Sequence, residues 1–191
     1  MLKSRLPFAA VALFLSMGCG SYYSTIRQTP MAGDLRAYPT IAVGWLDLGE
    51  QKYQAYGYSE QDKDKWFKVV SEMNLKSMPQ YLKEDITKKN VFVAKSKTEP
   101  LPPDGMVIIF TDVNYNQQTS SAAQVMFGAA AGSDTLDVTV HFIDGKSQRE
   151  LYSEAISLTS KAGMGYSSMG FEGRVNNTVY NLARFISEKV Q

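Results

Sequence analysis

A protein nucleophile needs a base, and this chain of 191 residues has one histidine to offer. His141 stands between Val140 and Phe142 in a run that alternates apolar and polar residues, so it falls on the polar face of a strand. No serine lies in the strand-to-helix elbow that exposes a hydrolase nucleophile, and His141 is therefore expected to be a solvated or hydrogen-bonded strand residue. One histidine and one cysteine, Cys19, are too few nitrogen and sulfur ligands for a zinc site. Asp134, Asp137 and Asp144 match no calcium loop and are read as turn and outer-face residues. The stretch Gly163-Met164-Gly165-Tyr166-Ser167-Ser168-Met169-Gly170 lies between a strand and a helix, where a dinucleotide loop would sit. Its third glycine comes too late for the GxGxxG spacing, so it is read as a turning connection whose Met164, Tyr166 and Met169 offer adaptable apolar surface. The sequence thus leads us to expect no catalytic residue, no cofactor, no metal site and no enzymatic activity.

The one residue with expected chemistry is Cys19. Lys3 and Arg5 precede an apolar run, Leu6 to Phe14, broken only by Pro7, and Ser16-Met17-Gly18 leads into the cysteine. Charged, apolar and small residues in that order form an export signal. The apolar run is too short to cross a bilayer as a helix, which takes about 20 residues.

Residues 1 to 19 resemble the signal peptides of bacterial lipoproteins, with Gly18 and Cys19 in the lipobox, Ser16 where leucine is usual, and Leu15 one place back. The resemblance implies cleavage before Cys19 and attachment of a diacylglyceryl group and an acyl chain, enough lipid for stable anchoring. It also accounts for a lone cysteine that would otherwise be a free thiol in an exported chain. Gly20, rather than Asp, after the cysteine implies the outer membrane, with the domain facing the periplasm. Expected boundaries are a signal peptide over 1–18, a lipidated tether over 19–39 and a single domain over 40–191. The tether assignment rests on turn formers such as Pro30 and Gly33 and on missing periodicity. About 20 extended residues would reach roughly 65 Å.

Removing residues 1–18 takes Lys3 and Arg5 away and leaves 18 basic against 19 acidic side chains. A near-neutral chain lacks the basic footprint of a nucleic-acid binder, and no such partner is expected. The mature length suits one domain with a real core.

Within 40–191, Thr40 to Asp47 reads as an interior strand, apolar on both faces apart from Gly44. Lys63 to Ile86 carries apolar residues at helical spacing, and Pro79, with Ser77 and Gln80 forming a capping box, leaves open one kinked helix or two. Val91 to Ala94 is a short strand and Met106 to Tyr115 a longer one, with prolines 100, 102 and 103 preventing pairing between them. Leu136 to Phe142 alternates without error, and Asp144-Gly145 turns it back into Glu150 to Thr159 as an antiparallel hairpin. From about Phe171 to Val190 a helix sets Phe171, Val175, Val179, Leu182 and Ile186 in one stripe. These elements predict an α+β fold, a mixed but mainly antiparallel sheet of about five strands with helices packed on it.

The Phe127-Gly128-Ala129-Ala130-Ala131-Gly132 run, the alternating strand, the Asp144-Gly145-Lys146 turn and the terminal helix resemble the α+β domains of uncharacterised proteobacterial lipoproteins. More distantly they are similar to the curli-secretion lipoprotein and the amino-terminal domain of the Tol-system propeller protein. Residues 119–133, uncharged and rich in Ser, Ala and Gly around Val125-Met126-Phe127, are either a buried small-residue connection or an exposed segment meeting another subunit or a membrane. The expected function is a non-enzymatic envelope lipoprotein that binds or scaffolds a protein partner or self-associates. Its contact surfaces would be the sheet edge, residues 119–133 and residues 163–170. The alternative is a subunit of an oligomeric secretion or pore-forming assembly like that of the curli lipoprotein.

Overall fold

In a computed structural model, which describes residues 22–46, 52–55, 68, 76–93, 103–117, 133–161 and 171–191, the strands join in one mixed sheet. They are β1 (Tyr22–Gln28), β2 (Thr40–Leu46), β3 (Lys52–Ala55), β4 (Asn90–Val93), β5 (Gly105–Gln117), β6 (Ser133–Asp144) and β7 (Glu150–Lys161). Helical residues 76–85 form α1, Phe171–Val190 forms α2, and Leu35–Ala37 makes one 3-10 turn. The strand order is β1-β7-β6-β5-β2-β4, with β3 paired to β5 beyond the end of β2. The pairings β1-β7, β7-β6 and β6-β5 are antiparallel, and β5-β2, β2-β4 and β3-β5 are parallel. The α+β class and the mixed sheet agree with the sequence reading.

The strand count is higher than the five expected. β1 lies in the stretch read as a tether and shows no alternation because residues 23–28 are all exposed. β3 is only four residues long, too short for a period to register. The tether assignment for residues 19–39 is therefore corrected: the chain joins the sheet at Tyr22, and Leu35, 1 % exposed, is already in the core. Ser77 and Pro79 both lie in α1, while residues 69–75, which would decide between one kinked helix and two meeting near Ser77, lie outside the described residues.

One face of the sheet carries the core. Ile41 and Val43 of β2, Met106, Ile108 and Phe110 of β5, and the even residues Leu136 to Phe142 of β6 lie under the helices. α1 contributes Met78 and Leu82, with Ile86 just after it, and α2 contributes Val175, Val179, Leu182 and Ile186, four of the five residues of the stripe read from the sequence, the side chain of Phe171 lying outside those described. The helices touch through an edge-on Tyr81–Tyr180 pair and a Tyr81 to Asn176 hydrogen bond of 2.9 Å. Midway along β5 the alternation changes phase. A β-bulge between Thr111 and Asn114, with Asp112 in the left-handed region at φ 52°, transfers inward orientation from even residues to Val113 and Tyr115. Gly44 meets a packing limit, since a Cβ there would lie 2.8 Å from the carbonyl oxygen of Ile108 on neighbouring β5.

Candidate functional site

Strand direction assembles several chain ends at one end of the sheet. Tyr22, three positions after Cys19, pairs with Thr159 near the end of β7. Ser133 pairs with Lys161, and Asn116 near the end of β5 pairs with Thr135. Residues 118–132 and 162–170 therefore leave from adjoining strand ends beside the start of β1, and sequence shows both to be uncharged. The candidates Cys19, 119–132 and 163–170 themselves lie outside the described residues.

Just inside this end is a buried ion pair that the sequence reading missed. Asp134 had been assigned to a turn or the outer face. Instead it continues the inward even register of β6, is 1 % exposed, and takes a 3.0 Å bond from the Tyr115 hydroxyl and a 3.1 Å bond from Arg174 Nε. Both partners are distant in sequence, so no local pattern signals the pair. Its carboxylate and guanidinium cross-link β5, β6 and the first turn of α2, fixing where the two uncharged segments are attached.

A second polar cluster holds β1. Glu154 of β7 is also 1 % exposed, and its carboxylate accepts bonds from Thr25 Oγ1 at 2.6 Å, the Tyr152 hydroxyl at 2.6 Å and Lys189 Nζ at 2.7 Å. Burial pushes the carboxyl pKa up, but these donors outweigh it and leave the group below its ordinary value. The Tyr152 hydroxyl is pushed up by burial and by donating to Glu154. Lys189 lies over the rings of Tyr152 and Phe185 at 5.5 and 5.1 Å, and Tyr23 packs edge-on against Phe185 while donating to Glu188 at 2.9 Å.

On the opposite face His141 is hydrogen-bonded. Its Nδ1 lies 2.6 Å from Glu150 and its Nε2 2.8 Å from the Thr111 hydroxyl. Glu150 also accepts from Ser153 Oγ at 2.9 Å, and Asp112 accepts from Thr139 at 2.9 Å. Carboxylate, imidazole and hydroxyl thus follow one another as in a nucleophilic relay. Thr111, however, is paired in mid-strand with Thr139. The bonds join neighbouring strands across the sheet face, a structural role that the polar register of His141 made legible.

The two cavities differ in kind. One is an apolar void of ≈ 30 Å³ among Phe110, Val113, Val138, Val175 and Val179. The other is a cleft of ≈ 590 Å³ at the far end of the sheet, bordered by Arg36, Tyr38, Lys88, Lys89, Val190 and Gln191. Lys89 donates to the carbonyls of Arg36 and Tyr38, both at 2.7 Å, and burial lowers its ammonium pKa. Asp144 accepts from the Tyr38 hydroxyl at 2.7 Å and from Ser147 N at 2.6 Å, as a turn residue should. Bonds from Ser147 and Tyr38 bring its pKa down to about 2, and burial with the bond to Asp144 brings that of Tyr38 up to about 12. Among the described residues no cluster of three His, Cys, Asp or Glu side chains is placed to hold a metal, and no helix is long and apolar enough to cross a membrane.

Two similar solved structures are a PelC dodecamer from Paraburkholderia phytofirmans and a neuraminyllactose-binding hemagglutinin homolog from Helicobacter pylori. The first is 12 % identical over 90 % of this chain and 99 % of its own, with a TM-score of 0.42. The second is 11 % identical over 85 % of this chain and 88 % of its own, with a TM-score of 0.38. No curated protein matches the sequence. A family model matches residues 57–163, more than half of the chain, and the protein belongs to the family described as a domain of unknown function, DUF4410.

Proposed function

We propose that this protein is an envelope lipoprotein, anchored through Cys19 in the outer membrane and facing the periplasm, that binds or scaffolds other envelope proteins without catalysing a reaction. The observation that carries the reading is the shared sheet end. The strand that follows the lipidated cysteine begins there, and the uncharged segments 118–132 and 162–170 depart from the same place. With only three positions from Cys19 to Tyr22, that end stands within about 10 Å of the lipid attachment. Segments with no charge and with Met, Phe and Tyr side chains are suited to contact at a membrane surface or with a neighbouring protein. The buried Asp134–Arg174 pair supports the reading by giving both segments a fixed base.

Membrane fractionation of Cys19→Ala, followed by crosslinking in intact cells, tests the two halves of this proposal. The variant should leave the membrane fraction, and the native protein should give a defined adduct with another envelope protein or with itself. A ladder of self-adducts retained in detergent would favour the oligomeric assembly instead. Monomer alone under several growth conditions would contradict action by contact.

A further inference from the structure

We infer that β1 is a releasable strap that switches the lipid tether between a short and a long form. Leu35, fixed in the core, marks where the long tether would begin. β1 is an edge strand whose residues 23–28 are all exposed, so little apolar burial secures it. Three of the four exposed large hydrophobic side chains among the described residues, Tyr23, Ile26 and Met31, lie in or just after it. Its ladder to β7 is broken by a bulge between Thr25 and Arg27, and Ile26 is left there 61 % exposed.

Apart from the edge-on packing of Tyr23 on Phe185, what secures β1 is polar: Thr25 to Glu154 at 2.6 Å, Tyr23 to Glu188 at 2.9 Å, Tyr152 to Gln28 at 3.1 Å and Ser153 N to Thr29 at 2.8 Å. Release leaves the core satisfied. Glu154 would lose Thr25 but keep Tyr152 and Lys189, so its charge stays paired, and β7 remains in register with β6 from Ser133–Lys161 to Ile143–Glu150. Edge strands held by polar bonds over a satisfied core open locally at a lower free energy than the rest of the fold.

The consequence is one of reach, and it rests on the lipid anchor proposed above. With β1 docked, three positions separate Cys19 from the sheet. If the backbone bonds of Thr29 to Ser153 and of Ala32 to Leu151, 2.9 and 2.7 Å, open together with β1, the chain is free to Leu35, sixteen positions from Cys19, a reach of roughly 50 Å when extended. The 12-residue edge of β7 is uncovered at the same time, open to a strand from a partner.

Two measurements on the full lipoprotein decide this. In hydrogen exchange, the amides of residues 22–28 should exchange at least about a hundredfold faster than those of 136–142, and Thr25→Val should speed them about tenfold or more while leaving 136–142 unchanged. Equal protection of β1 and β6, lost together, would overturn the strap. In liposomes, a disulfide made by Ser24→Cys with Ser157→Cys, residues paired across the ladder, holds β1 docked. Energy transfer between a dye at position 88 and the bilayer should show one short distance when that bond is oxidised and an added longer population when it is reduced. Identical distributions would overturn the change of reach. A chain that never associates with liposomes would overturn the anchor and the reach together, while the exchange result would still decide whether β1 releases.

Discussion

β7 has two neighbours of opposite character. On one side β6 pairs with it from Ser133 to Ile143 and buries Leu136, Val138, Val140 and Phe142 under the helices. On the other side β1 pairs through six residues, exposes its side chains and is held by hydroxyls and one buried carboxylate. The backbone ladder is the same kind of bond in both, so burial separates them. A strand fixed by apolar area goes only when the fold goes, whereas one fixed by polar bonds can be tuned residue by residue.

The largest effect should come from β6. Phe142→Ala, at a position 0 % exposed, is expected to cost about 3–5 kcal/mol in urea unfolding, whereas Ile26→Ala in β1 should stay within about 0.5 kcal/mol. Comparable losses would erase the contrast. A similar loss, about 3–5 kcal/mol, is expected for Asp134→Ala at the start of β6, since it takes the carboxylate from a buried Arg174. Pairing that change with Arg174→Met should recover part of it, and no recovery would mean that the ion pair is not the cause.

Acid should separate the two neighbours as well. Glu154 and Asp144 both have folded-state pKa values below their ordinary ones, so the stabilisation they give is present above the ordinary carboxylate range and fades as pH falls through the lowered values, to about 2 for Asp144. Because Glu154 holds Thr25, exchange protection of β1 should fall in acid before that of β6, and Glu154→Gln should remove this pH dependence from β1. Tyr38 has the opposite sign, its contribution being complete below pH 10 and lost as pH rises to about 12. Melting temperatures followed from pH 2 to 12 read both limbs. The smallest expected effect is a gain. Val179→Ile, directed into the ≈ 30 Å³ void, should add about 0.7 kcal/mol, and a loss would mean that the void cannot take a methylene.

What could be read from the sequence follows the same division. Alternation in β6 and the 3.6-residue stripe of α2 are produced by burial on one face, so sequence displayed both, β6 to within three residues at its start and two at its end. β1 is exposed on both faces and left no period, which is why it passed for a tether. In β5 the Asp112 bulge moved the inward face by one residue, so simple alternation would turn Val113 and Tyr115 outward. His141 was legible as a solvated or hydrogen-bonded strand residue, but its partners Thr111 and Glu150 are brought to it only by strand pairing. Asp134 was misread because charge suggests the surface, and its partner Arg174 lies forty positions away.

The central claim is that this protein acts by contact from its anchored end. A photocrosslinking residue placed at position 133 or 161, at that end, can be compared in living cells with one at position 88, beside the far cleft. Defined adducts from 133 or 161, with position 88 giving few or none, is the result the account predicts. Adducts confined to position 88, or monomer from all three positions, would contradict it.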